Sequence, residues 1–167
     1  MIQEERQKEK ELLLNVLKDG LPYGLQLKIT DINKFTFNGE LCVLSKNWCR
    51  VNIADPIKMT KVKNQTIPLN YIYIKPYLRP LASMTEEEAK EISILHDIKD
   101  ILSIKITDEY IEVIVDDGVC STETRTIWYD EIVASVEIFD WLNKHHFDYR
   151  GLIPMGLAIE APEGMYN

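Results

Sequence analysis

Three prolines interrupt one of the most apolar stretches of the chain. Residues 67–81 read IPLNYIYIKPYLRPL, with Pro68, Pro76 and Pro80 inside the run. A proline fixes φ and carries no amide donor, so this stretch is neither a helix nor a central strand, and it should follow a sheet edge or the outside of a barrel. Upstream, from residue 25, short β-like runs (LQLKI, KFTF, ELCVL, WCRVNI) alternate with Asp, Asn, Gly and Pro, the pattern of a compact β-module. Within it the Asn38-Gly39 pair lies between two apolar runs and predicts a tight type I′ hairpin, because both residues accept positive φ.

The string IPLNYI resembles the Ile-Pro-x-x-Tyr step near the last strand of SH3-like barrels. That resemblance implies a small barrel for the N-terminal half; the alternative is an antiparallel meander packed on the first helix. This helix is expected over residues 2–18, where no Gly or Pro occurs and Leu13, Val16 and Leu17 recur at helical spacing, with Gly20 just past its end. Its first half, QEERQKEKE, is polar all round, so only the last two turns can dock on a core.

A second helix begins at Thr85, whose hydroxyl and the carboxylate of Glu88 form the two halves of a capping box. Its three glutamates complement the helix dipole, and Ala89, Ile92 and Leu95 form its apolar stripe. Three β-like runs follow, ILSIKIT, EYIEVIV and VCSTETRTIW, broken at Thr107-Asp108 and at Asp116-Asp117-Gly118. They predict a three-stranded antiparallel meander in which Ile111, Val113 and Val115 share one face and the third run, rich in hydroxyl and charged residues, lies at an edge. The last helix is expected from residue 129 or 130 to 144 or 146, with Ile132, Val136, Phe139, Leu142 and His146 on one side. Trp141 projects roughly opposite, and the Pro- and Gly-containing tail should fold back over it.

Formal net charge is −8, which argues against a protein whose affinity comes from neutralising phosphates; a nucleic-acid partner is not expected. No run approaches the ~20 apolar residues of a membrane span, and the N-terminus lacks the apolar core of a signal peptide. Cys42, Cys49 and Cys120 are odd in number and show no CxxC spacing, so neither a disulfide framework nor a structural zinc site is indicated. A reducing cytoplasm is the compartment these features suggest.

The densest collection of reactive groups is residues 144–151, KHHFDYRG. A histidine with a nearby carboxylate can move protons, so His146, Asp148 and Arg150 are the candidate residues of a small hydrolase or metal-dependent enzyme. Adjacent histidines do not face each other on a helix, however, and a metal site prefers an i, i+4 pair. The favoured reading is a capped helix end in which His146 closes the apolar stripe and Asp148 and Arg150 hold a turn. Nucleotide-loop, nucleophile-elbow and zincin motifs are absent, and no cofactor or metal is expected. Aromatic side chains offer a different chemistry: Trp48, Tyr71, Tyr73 and Tyr77 could form a protein-binding surface on the β-module, the favoured alternative for the tyrosines being local packing under the proline-rich segment.

Two strings, residues 74–92 (IKPYLRPLASMTEEEAKEI) and residues 140–166 (DWLNKHHFDYRGLIPMGLAIEAPEGMY), resemble a family of small uncharacterised proteins encoded by prophages and other mobile elements of Bacteroides and related gut bacteria. They cover roughly a quarter of the chain. The resemblance implies an origin and a host-cell cytoplasm during a phage or element programme, rather than a reaction. In the shared string His146, Asp148, Tyr149 and Arg150 match, whereas His145 occupies a freer position.

The expectation is therefore an α+β protein. Residues 1–81 carry the first helix and the SH3-like barrel or meander, and residues 82–167 carry the second helix, the three-stranded meander, the long helix and the folded-back tail. Its expected function is non-enzymatic binding of a host or phage protein, with oligomeric state open.

Overall fold

The computed structural model describes residues 2–54, 61–69 and 73–166. In chain order the elements begin with α1 (Ile2–Gly20), β1 (Gln26–Thr30), β2 (Thr36–Leu44), β3 (Trp48–Ala54), β4 (Lys61–Pro68) and β5 (Tyr73–Leu78). They continue with α2 (Glu86–Leu95), β6 (Ile101–Ile106), β7 (Tyr110–Asp116), β8 (Thr122–Trp128), α3 (Val136–Lys144) and β9 (Ile159–Glu160). The chain is α+β and divides into two compact units, Met1–Leu78 with Gly151–Asn167, and Arg79–Arg150. Among the described residues no helix is long and apolar enough to cross a membrane.

In the first unit the sheet order is β4-β3-β2-β1-β5-β9. The first four strands form an antiparallel meander, β5 returns antiparallel to the free side of β1, and β9 adds in parallel at Tyr77 and Leu78. Among the described residues pairing stops at β4 on one side and β9 on the other, so the sheet is open. Alternation places Leu27, Ile29, Leu41, Val51 and Ile74 in one core, joined by Val16 and Leu17 of α1. Each such side chain stabilises the unit by about 1.5–3 kcal/mol on full burial. The polar turns of α1 from Glu4 to Glu11 are exposed, as the sequence requires. Gly20 ends α1 where an added Cβ would stand 2.7 Å from Leu25 Cδ2, so a larger residue there would have to push the Leu25 side chain aside.

Asn38 and Gly39 do not form the expected hairpin turn. They lie inside β2, opposite Lys28 and Leu27. Gly39 serves a close approach instead, since a Cβ there would meet the Asn52 carbonyl oxygen at 3.1 Å. The turn joining β1 to β2 lies earlier, where the Asp31 carboxylate accepts from the amides of Asn33 at 2.8 Å and Phe35 at 2.9 Å, with Lys34 left-handed at φ 65°. Asp31 outcompetes the Asn-Gly pair because its side chain satisfies two amides that no strand partner reaches. Pro68 closes the edge strand β4, in line with the sequence, whereas Pro76 lies in β5, between β1 and β9. The internal position is tolerated because β9 pairs only with Tyr77 and Leu78 and stops short of Pro76.

The second unit holds the antiparallel sheet β6-β7-β8 with α2 and α3. Thr85 and Glu88 form both halves of the capping box. Ile111, Val113 and Val115 of β7 are buried with Ile92, Ile138 and Leu142 of the helices. Helix α3 starts later than its periodicity suggests: residues Tyr129–Glu131 form a 3-10 turn, and the Ser135 hydroxyl caps α3 by accepting from the Ile138 amide at 3.2 Å. Ile132, outside the helix, is still 1 % exposed, whereas Val136, expected on the apolar side, opens α3 at 78 % exposure, so the buried side of the helix runs through Ile138 and Leu142 instead.

The tail from Gly151 onward belongs to the first unit. There Ala161 donates its amide to the Leu78 carbonyl at 2.8 Å. The Tyr166 hydroxyl donates to the Tyr77 carbonyl at 2.7 Å and accepts from the Gln26 amide at 3.1 Å.

Candidate functional site

Helix α3 runs out at Lys144, and His146 adopts a left-handed φ of 58°. That single dihedral turns the chain back, so that Phe147 lies at 2 % exposure in the core of the second unit. The reversal is fixed by a parallel bridge between Arg79 and Phe147. The Arg79 amide donates to the His146 carbonyl, and the Asp148 amide donates to the Arg79 carbonyl, both at 2.8 Å.

Around this bridge the side chains form a layered cluster. The Arg79 guanidinium lies 4.3 Å over the Phe147 ring and donates to both Glu88 oxygens, at 2.6 and 2.8 Å, and to the Ser83 carbonyl at 3.2 Å. Trp141 stacks on His145 at 4.1 Å and on Phe147 at 5.8 Å, and its indole N–H donates to Glu91 at 3.0 Å. The cover that Trp141 needs thus includes rings of the turn itself. His145 Nδ1 lies 2.8 Å from the Trp141 carbonyl, and because a carbonyl only accepts, Nδ1 carries the proton. The Tyr149 hydroxyl donates to Asn143 at 3.1 Å, and the Arg150 guanidinium lies over the rings of Tyr149 at 5.0 Å and Phe139 at 5.7 Å.

Electrostatics follow from this packing. Burial pushes the Glu88 carboxyl up, but hydrogen bonds from Arg79 and the Thr85 amide, with the charges of Arg79 and His145, outweigh it and hold the group below its ordinary value.

His146 is 5 % and Asp148 8 % exposed, so the histidine and carboxylate proposed for proton transfer are enclosed. Two clefts of the second unit are lined by other residues, one by Lys90, Ile94 and Asp100 with their neighbours, the other by His96, Asp116, Glu123 and Arg125 with theirs. Among the described residues no group of three or more His, Cys, Asp or Glu side chains is placed to hold a metal ion. Chemically, the turn supplies main-chain bridging and ring stacking.

The four aromatic candidates of the first unit do not converge. Trp48 is half-buried at the start of β3, with the Arg50 guanidinium 5.5 Å from its ring. Tyr73 opens β5 opposite Thr30, which in turn faces Thr36, whereas Trp48 lies beyond Cys49, the partner of Leu44. Thr36 and Leu44 are the two ends of β2, so Trp48 and Tyr73 occupy opposite ends of the sheet. Tyr77 is 8 % exposed and donates its hydroxyl to Asn38 at 3.1 Å, which makes it a packing residue. Tyr71 lies outside the described residues.

Tyr73 has other company. It is 79 % exposed, and at the same end of the sheet the β1–β2 turn displays Ile32 at 74 % and Phe35 at 71 %. Sequence reasoning missed Ile32 and Phe35, although one signal was present: two large apolar residues flank Asn33-Lys34 in a stretch too turn-rich to bury them.

Searches against protein-family models, curated proteins and solved structures find no match to the chain.

Proposed function

We propose that this chain is a non-enzymatic accessory protein of a phage or mobile element, acting in the bacterial cytoplasm by binding a host or phage protein. One observation carries the reading: the exposed apolar tip of Ile32, Phe35 and Tyr73 at one end of the first unit's sheet. Large apolar and aromatic side chains exposed together at one end of a sheet are the kind of groups a recognition surface uses. The Asp31 side chain holds the turn through the amides of Asn33 and Phe35, so little ordering is left to be done on binding. The strand order β4-β3-β2-β1-β5 supports treating the module as an open relative of SH3-like barrels, an analogy of fold rather than of activity.

The origin rests on the two resembling strings, and their segments meet in the fold through the Arg79–Phe147 bridge and the β5–β9 pairing. The test is capture from lysate of an infected or element-bearing host, followed by binding of the purified partner. Phe35→Ser with Tyr73→Ser should weaken that binding by about tenfold or more, and Trp48→Ala should leave it intact. Equal binding by all variants would refute the assignment. Stoichiometric bound metal, or turnover lost on His146→Ala, would instead favour an enzyme.

A further inference from the structure

Strand β8 is an edge whose only charged residues, Glu123 and Arg125, are of opposite sign. Thr122 to Thr126 are all exposed, the strand contains no proline, and its register with β7 runs from Asp116↔Thr122 to Tyr110↔Trp128 without a shift. The opposite edge, β6, is interrupted by a register shift between Ile101 and Ser103. Bulges, prolines, short strands and like charges keep edges single; β8 has no bulge or proline, and its two charges are of opposite sign.

The ladder also fixes which main-chain groups point outward. Asp117 donates its amide to the Ser121 carbonyl at 3.2 Å, and Tyr129 donates to Glu109 at 3.0 Å. These bonds bracket β8, so odd-numbered residues exchange hydrogen bonds with β7 and the amides and carbonyls of Thr122, Thr124 and Thr126 face away from it.

We propose that β8 pairs antiparallel with β8 of a second copy of this chain about a two-fold axis at Thr124, joining two three-stranded sheets into one. In this register Thr124 faces its own counterpart and Thr122 faces the second copy's Thr126, so the outward groups form about six main-chain hydrogen bonds. Glu123 then faces Arg125 of the second copy, and Arg125 faces its Glu123. Both pairs fall at non-hydrogen-bonded positions, where side chains approach most closely. Within one copy the two residues pair with each other at 2.9 Å, with side chains more than half exposed, an interaction worth little in water and easily exchanged across the axis. An axis at residue 123 or 125 would set like charges opposite, Glu123 against its own counterpart or Arg125 against its own. The segment Thr-Glu-Thr-Arg-Thr thus selects one register and disfavours its neighbours.

The test uses the full chain in analytical ultracentrifugation from about 1 µM to about 1 mM. Wild type should dimerise with rising concentration. Arg125→Glu and Glu123→Arg should each weaken the dimer by about tenfold or more, and an equimolar mixture of these two variants should form a heterodimer. Thr124→Pro, which removes an outward amide that the monomer does not use, should be monomeric with an unchanged circular dichroism spectrum. Thr124→Cys in a Cys120→Ser background should yield an oxidised dimer linked through position 124, since facing residues there lie within disulfide range. A wild type that stays monomeric throughout overturns the proposal, and so does a dimer indifferent to the charge swaps and to Thr124→Pro. Loss of the Ile32, Phe35 and Tyr73 tip should leave the dimer intact, which separates the two surfaces.

Discussion

Arg79 and Phe147 are joined twice over, by a main-chain bridge and by a guanidinium stacked 4.3 Å above the ring. The same guanidinium holds Glu88 through two bonds, with both side chains 16 % exposed. Arg79→Ala should therefore destabilise the second unit by about 2–4 kcal/mol, because it strands a half-enclosed carboxylate and uncovers a ring. Arg79→Lys should recover only a minor part, since an ammonium cannot bond both oxygens while lying flat on Phe147. Urea denaturation midpoints of the three proteins measure this.

Glu88 gives the same contact a pH signature. Its folded-state carboxyl is held below its ordinary value, so its stabilisation is present above the unfolded value near 4.5 and is lost as pH falls through the folded value. Melting temperatures of wild type and Glu88→Gln between about pH 2 and 7 should differ most near neutrality and converge in acid. A constant gap would show that the charge is irrelevant.

His96 acts at milder pH. Burial lowers its folded-state value below 6.5, only partly opposed by the bond of Nε2 to the Ile132 carbonyl at 3.0 Å. Its contribution is complete above the unfolded value and is lost as pH falls below about 6.5 toward the folded value. His96→Gln should flatten the stability profile in that window, as read by thermal melts at closely spaced pH.

The Tyr166 hydroxyl ties the tail to Tyr77 and Gln26 by two hydrogen bonds. Tyr166→Phe should cost about 1–3 kcal/mol, since the two main-chain groups lose a part-buried partner. Faster amide exchange at Gln26 would be the local readout.

Two of the three cysteines should separate cleanly. Cys120 is exposed, whereas Cys49 is fully buried and its thiol is pushed up to about 11 by burial. In native protein iodoacetamide should modify Cys120 first and leave Cys49 untouched until denaturant is added, as followed by mass spectrometry.

What the sequence makes legible is local chemistry. The capping box at Thr85, the buried face of Ile111, Val113 and Val115, and the edge position of β8 follow from side-chain type and periodicity alone. The misjudged features depend on partners distant in the chain. Gly39 is a strand residue because of Asn52, the tail joins the first unit because Leu78 offers it a carbonyl, and Tyr77 is buried because Asn38 and Tyr166 receive it. The candidate site shows the same division: residues 144–151 were conspicuous by composition, but the enclosure of His146 follows from Arg79, far upstream.

The division of the chain also bears on its birth at the ribosome. Strand β9 and Tyr166, which complete the first unit, are made only after the whole of Arg79–Arg150 has been synthesised. At ~5–20 residues per second the early sheet waits roughly 4–15 s for its last strand, with the Leu78 carbonyl exposed to whatever else is nearby. The intervening unit needs no such wait, since every segment it requires has been synthesised by then. A released chain ending just past Arg150 would therefore carry every segment of the second unit and an unfinished first one.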